Sequence, residues 1–359
     1  IIEAALGSRT NCVGVDISCD KLLTKQLLDI QNIPVAEGRR VFNIIGLLRE
    51  AEIIGYPVVL KPQFGNKGKG VMLNLNNEKE LIKAYNSLLK KTKDIIIEKY
   101  VLGNDYRVCV VDNKVVAASL RIAPFVIGNG VSTLKQLIDE LNKDPLRGED
   151  HEKPLTTIKF DEELCNCISR QGISLDYIPQ IGEKIILREN ANLSTGGMAV
   201  DCTDDICEEN IDYCIRAAKA LGLDICGIDI CTKDIAVPIN KQGGIVMEVN
   251  SAPGIRMHHF PSKGKKRDVG KAIVDMLYEG HLYNIPVISV TGTNGKTTTV
   301  RMIGHVLSKM GLNTGITSTD GIYINNKCIH EGDDSGFKSA KTVLFNKDVE
   351  AAVLETARG

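Results

Sequence analysis

The sequence predicts an α/β chain, and three observations predict it. Short apolar runs at 57–60, 95–98, 225–231, 244–249 and 287–290 alternate with segments of helical periodicity. Aromatic residues make up only 4% of the chain and tryptophan is absent. The run at 287–290 passes through a glycine loop into a helix pattern, the context of a phosphate-binding loop. The 359 residues suggest two or three domains.

The elements follow in order. From Lys21, the residues Leu22, Leu23, Leu27 and Leu28 form one apolar helix face, which Ile33-Pro34 ends. A second helix is expected over 41–54, with Gly55 as its stop. Pro57–Leu60 reads as a strand running into Lys61-Pro62, then a glycine-rich turn over 65–70. Asn77, with Glu80 three residues on, marks a helix start, and the helix runs to about Lys91. A strand at 95–98 precedes a hairpin, 106–111 and 114–119, turned at Asp112-Asn113. Residues 121–200 are polar and irregular, a surface insertion or a lid over substrate. A helix over 209–221 closes at Gly222, and strands 225–231 and 244–249 follow. Residues 262–284 hold a basic run and a helix, and a new unit begins at Pro286.

Composition excludes some functions. Lys plus Arg is 44 and Asp plus Glu is 45, so no overall field recruits nucleic acid or an anionic membrane. No apolar run approaches the roughly 18–20 residues of a membrane span. The chain starts at Ile1 without Met or a signal-peptide pattern and is expected to be the middle of a longer, cytoplasmic protein. Its 11 cysteines show no CxxC pair, which suits reduced, buried thiols better than disulfides or zinc.

Three patterns carry chemistry. Lys61 closes an apolar strand, where a lysine makes sense if it reaches a phosphate; the glycines of 65–70 allow backbone N–H groups to approach the same anion, although a plain turn fits them too. Glu248 and Asn250 share a strand face, and with Asp229 on the preceding strand they offer hard oxygens for Mg²⁺. Gly292, Thr293, Asn294, Gly295, Lys296, Thr297 and Thr298 form a phosphate cradle: loop amides and a helix N-terminus for the phosphates, Lys296 for the β/γ phosphates, and the Thr297 hydroxyl for Mg²⁺. Val290 stands where the usual loop has its first glycine, so this is a variant loop.

The order Asp20-Lys21, Val59-Leu60-Lys61-Pro62, Lys67-Gly68-Lys69-Gly70, Ile97-Glu98-Lys99-Tyr100-Val101 and Glu248-Val249-Asn250 resembles the ATP-grasp ligases over roughly residues 10–280. The resemblance implies an α+β ATP-grasp fold and an acyl phosphate attacked by an amine. It implies phosphate contacts for Lys21 and Lys61, and puts Lys67, Gly68, Lys69 and Gly70 in the loop over the nucleotide. Glu98, Lys99 and Val101 would then form an adenine hinge, Asp105 would sit near the ribose, and Asp229, Glu248 and Asn250 would hold Mg²⁺. Arg121, His151 and Arg188 fall in segments that look like the substrate side; arginine forks suit a carboxylate or acyl phosphate.

Thr291-Gly292-Thr293-Asn294-Gly295-Lys296-Thr297-Thr298 resembles the Mur ligases, with Glu355 as a Mg²⁺-binding carboxylate at a strand end. The two units in this order resemble the cyanophycin synthetases. That implies ATP and Mg²⁺ as cofactors, and L-aspartate, L-arginine and a poly-aspartate primer as partners, in a homo-oligomer. On this basis residues 1–284 are expected to be the ATP-grasp domain, with its insertion at about 121–200, and 285–359 an incomplete P-loop α/β Mur-type domain. Another ATP-grasp peptide ligase fused to a Mur-type unit, glutathione-synthetase-like or glutamate-adding, is the alternative.

Overall fold

A computed structural model describes residues 2–7, 9–65, 70–149, 152–188, 190–278 and 285–356. The chain divides into two compact units, Ile1–Glu279 and Gly280–Gly359.

The first unit holds two antiparallel sheets. In the smaller, the order is Gly38–Val41, Ile95–Lys99, Val58–Pro62, Met72–Leu75. Helices Ile44–Ile54 and Glu78–Leu89 cover it, and Leu47, Ala51, Leu60, Leu81, Leu88, Ile95 and Ile97 fill the space between. The second helix starts where Asn77 suggested. The Asn77 side chain accepts from the Glu80 N–H at 3.0 Å, while Glu80 reaches back to the Asn76 N–H at 2.9 Å.

The larger sheet has the order Met198–Asp201, Lys114–Ile122, Asn104–Val111, Ile225–Thr232, Ile245–Asn250. Helix Glu208–Leu221 packs on one face and Val269–Tyr278 on the other. Strand Ile225–Thr232 is therefore buried along its whole length, which is why it shows no alternation of apolar and polar residues. The hairpin turns at Asp112 and Asn113, both with positive φ (49° and 59°), as a two-residue turn matching strand twist requires.

The described residues of the segment expected to be irregular form helices and strands. Helices Leu134–Asn142 and Glu162–Arg170 pack against the pair Phe125–Ile127 and Lys184–Ile186, around a core of Val126, Leu134, Ile138, Ile158, Leu164, Ile168, Ile185 and Leu187. Its helices are short and mostly polar outside one narrow stripe, so they read as loop. Helix Cys12–Cys19, capped by Asn11, also escapes a reading of the sequence, because Gly14 and small residues blur its periodicity.

The second unit has a five-stranded sheet of order Val287–Val290, Ala351–Glu355, Thr314–Ser318, Gly321–Ile324, Lys327–Glu331. The first three strands are parallel and the last two add antiparallel. Helices Lys296–Lys309 and Phe337–Leu344 accompany it. Among the described residues, no helix is long and apolar enough to cross a membrane.

Candidate active sites

The first site begins with a helix fastened to a strand end. Asp20 caps helix Lys21–Ile30 by accepting from the Leu22 and Leu23 N–H groups. It also accepts from Gln63 Nε2 at 2.9 Å. This fixes Lys21, whose Nζ donates to the Gly65 carbonyl at 2.5 Å and lies 3.9 Å from Glu248 Oε1. One helical turn on, Lys25 Nζ lies 2.6 Å from Glu98 Oε1. On the smaller sheet Glu98 stands opposite Val59, so Lys61 is its diagonal neighbour, and Lys61 Nζ meets Glu98 Oε2 at 2.8 Å. Burial alone would raise the Glu98 pKa; Lys61 and Lys25 outweigh it and hold the group below the usual range. Burial lowers Lys25 to about 8.

The larger sheet supplies carboxylates and guanidiniums. Register places Asp229 opposite both Glu248 and Arg107, and Asp105 opposite Arg121. Arg107 grips Asp229 with two N–H groups, Nε to Oδ1 and Nη2 to Oδ2 at 2.9 Å. Arg121 Nη2 lies 2.6 Å from Asp105 Oδ1 and 3.0 Å from Asp229 Oδ2. Burial would raise Asp229, but Arg107 and Arg121 hold it below its ordinary value. Asp105 moves the other way, because its burial outweighs the pull of Arg121. Glu248 is pushed up by burial and by Asp229, with Lys21 and Lys61 only partly offsetting them.

The residues present fit a divalent cation in part. Glu248 is a desolvated carboxylate whose nearest cation is a lysine 3.9 Å away, and the Asn250 amide lies on the same strand face. Asp229, by contrast, has both oxygens engaged by guanidiniums. Among the described residues no group of three or more His, Cys, Asp or Glu side chains is arranged around a metal position.

Other expected residues divide. Arg121 is in the site. Lys99 turns its Nζ to the Gly55 and Tyr56 carbonyls, at 2.8 and 3.1 Å, so its side chain fastens a turn. Val101 follows the strand and accepts from Cys231 Sγ at 3.4 Å. Gly70 has positive φ (76°). Lys67, Gly68, Lys69 and His151 lie outside the described residues. Arg188, expected on the substrate side, is used within the insertion. It binds Asp161 Oδ2 and Glu163 Oε2, each at 2.8 Å, and the Lys159 carbonyl at 3.1 Å. The acidic start of helix Glu162–Arg170 draws the guanidinium there. Sequence reasoning missed Arg107 and Lys25. For Arg107 the available signal is an arginine interrupting the apolar run 106–111; Lys25 reads as one more charged position on a helix.

In the second unit, strand Val287–Val290 leads through Gly292 (φ 154°) to Gly295 (φ 75°), the N-cap of helix Lys296–Lys309. Gly295 is left-handed, a conformation that glycine adopts without strain. Glu355 is buried at the end of the neighbouring parallel strand. Its Oε2 accepts from the Thr297 hydroxyl at 2.9 Å and the Thr319 N–H at 3.2 Å, and Lys296 Nζ is 3.9 Å from Oε1. Thr297, Lys296 and Glu355 thus converge in front of the helix N-terminus, which suits a phosphate with its cation.

Comparison with known proteins finds a family model for each unit. A model of the RimK-like ATP-grasp domain matches residues 16–125 and 186–277, leaving out most of the insertion. A model of the Mur ligase middle domain matches residues 290–359. Cyanophycin synthetase of Geminocystis herdmanii is 45% identical over 362 residues, covering 100% of this chain and 41% of that protein. The cyanophycin synthetase of Synechocystis is 46% identical, covering 100% and 42%. The chain therefore spans about two fifths of the length of these relatives. A bifunctional glutathione biosynthesis protein of Clostridium perfringens is 35% identical over 279 residues, covering 77% of this chain and 36% of that one. The crystal structure of a bifunctional glutathione synthetase from Pasteurella multocida superposes with a TM-score of 0.58 at 28% identity, over 78% of this chain and 38% of that one. With the lysine–carboxylate site on antiparallel sheets and a family match over more than half its length, the chain belongs to the RimK-like ATP-grasp family.

Proposed function

We propose that this chain is the ATP-grasp part, with the leading part of a Mur-type unit, of a cyanophycin synthetase. The observation that carries this is the succession of an ATP-grasp match and a Mur ligase match in one chain, together with similarity to cyanophycin synthetases along its whole length. We assign residues 1–284 to the first reaction and 285–359 to the second. The first would lengthen a poly-aspartate primer by L-aspartate; the second would join L-arginine to the aspartate side chain by an isopeptide bond. The protein is proposed to be cytoplasmic and homo-oligomeric.

In the first reaction a primer carboxylate oxygen attacks the γ-phosphorus of ATP, and ADP leaves. The aspartate amine then attacks the acyl carbon, phosphate leaves, and the amine gives up its proton. Lys21 and Lys61, on two different elements, can hold the phosphates in line. Arg107 and Arg121, oriented by Asp229 and Asp105, would offer their remaining N–H groups to the negative charge that the acyl phosphate develops. Glu248 and Asn250 would hold Mg²⁺, which neutralises phosphate charge when bound, while Asp229 stays with its two guanidiniums. In the second unit Thr297 and Glu355 would hold the cation and Lys296 the β/γ phosphates.

The test is ADP release by the protein carrying this chain, given ATP, Mg²⁺ and a poly-aspartate primer. Release should depend on L-aspartate, and polymer growth should then depend on L-arginine. A glutathione-synthetase-like activity is favoured by the 35% identity to the Clostridium protein. Exchanging the amino acids in the same assay separates the two, and release independent of aspartate would refute the first.

A further inference from the structure

We infer that Lys25, which neither reaction step uses, is a positioning residue that frees Lys61 for the phosphates by keeping Glu98 neutralised from behind. This rests on the proposed phosphate role of Lys61.

The geometry is a line of three charges. Lys25 and Glu98 are 5% and 4% exposed. Lys25 Nζ holds one carboxylate oxygen at 2.6 Å and Lys61 Nζ the other at 2.8 Å. The Lys61 side chain is the more open of the two lysines, 12% against 6%. Lys25 approaches from the helix that presents Lys21 to the site one turn earlier, and Thr24 locks that turn by donating to the Ile17 carbonyl at 2.8 Å.

Without Lys25, Glu98 and Lys61 would form a closed pair with no net charge. Drawing Lys61 toward a phosphate would then strand a buried carboxylate without a counter-ion, which is unfavourable. With Lys25 in place the carboxylate keeps one cation throughout, and the cluster offers the phosphate a net positive charge. Burying a second lysine beside Lys61 is unfavourable in itself, since each cation repels the other. A device that only stabilised the fold would need one lysine for one glutamate.

The experiment is calorimetric binding of ADP and of ATP without turnover to the parent protein and four variants, with thermal melting to check folding. Lys25→Met should weaken nucleotide binding by about tenfold or more, while Lys25→Arg, which keeps the charge, should stay within about threefold of the parent. Adding Glu98→Gln to Lys25→Met should recover affinity, because a neutral amide no longer holds Lys61 back. If Lys25→Met does not fold, the comparison moves to Glu98→Gln with and without Lys25→Met. Since Lys25 acts only through Glu98, those two should bind within about threefold of each other. Parent-like binding by Lys25→Met overturns the inference, as does a double variant no tighter than Lys25→Met, or a larger gap in the Glu98→Gln comparison. A parent that binds no nucleotide overturns the proposed function, and this inference with it.

Discussion

The candidate sites of the two units are built from different materials. In the first, charge sits on side chains from several strands and a helix, already paired with one another: Lys25 of the helix with Glu98 and Lys61 of one sheet, Arg107–Asp229–Arg121–Asp105 on the other. In the second, a short loop and a helix N-terminus supply the backbone groups, and only Lys296, Thr297 and Glu355 add specific side-chain chemistry. Side-chain sites depend on distant register and can be rearranged by ligands. Backbone cradles are local, and their motif survives in a contiguous stretch of sequence.

The largest expected effect is on division of labour. Glu248→Ala should cut aspartate-dependent ADP release by on the order of 10²–10³-fold, the scale of losing one preorganised charge partner. Lys296→Ala should leave that release intact and stop the arginine-dependent step. Loss of the same half-reaction in both variants would erase the distinction between the units.

Next comes stability. Asp229→Ala would leave Arg107 and Arg121 without their shared anion, and breaking such a buried pair costs about 3–5 kcal/mol. Denaturant unfolding that follows the first unit measures this. Glu355→Ala should cost less, because it strands a hydroxyl and an N–H rather than two buried guanidiniums, and leaving a buried neutral group without its partner costs about 1–3 kcal/mol. Equal losses would show that the two sites are built alike after all.

A finer effect concerns pH. His258 is buried beside Ser119, with Nδ1 2.9 Å from Oγ, and burial lowers its pKa from 6.5 to about 3. Its folded value lies below its unfolded one, so its contribution to stability is full above pH 6.5 and is lost as pH falls toward 3. His258→Gln should flatten the stability profile of the first unit over that window, measured by unfolding at a series of pH values. The smallest effect is a cap: Asn77→Ala should destabilise by about 1 kcal/mol in the same assay.

Much of this was legible in the sequence, for reasons specific to each residue. The cradle at 292–297 was plain because its groups are neighbours in sequence. Glu248 and Asn250 were legible through strand period alone. Lys61 was visible as a charge closing an apolar strand. Arg107 and Lys25 matter through cross-strand register and helix docking, which one sequence does not encode locally. The pairing of Arg188 with Asp161 and Glu163 was not legible, because these sit at the cap and first turn of a helix whose apolar stripe is too narrow to read. The insertion as a whole reads as loop for the same reason.

That insertion enters and leaves through one antiparallel pair, Phe125 opposite Ile186 and Ile127 opposite Lys184. Strand neighbours of this kind are about 5 Å apart, so the two ends of the segment almost touch. Its apolar residues form a cluster of their own. Such a segment is bounded like a cassette, with its own apolar cluster and adjoining ends, and the gap that the family match leaves there has the same outline.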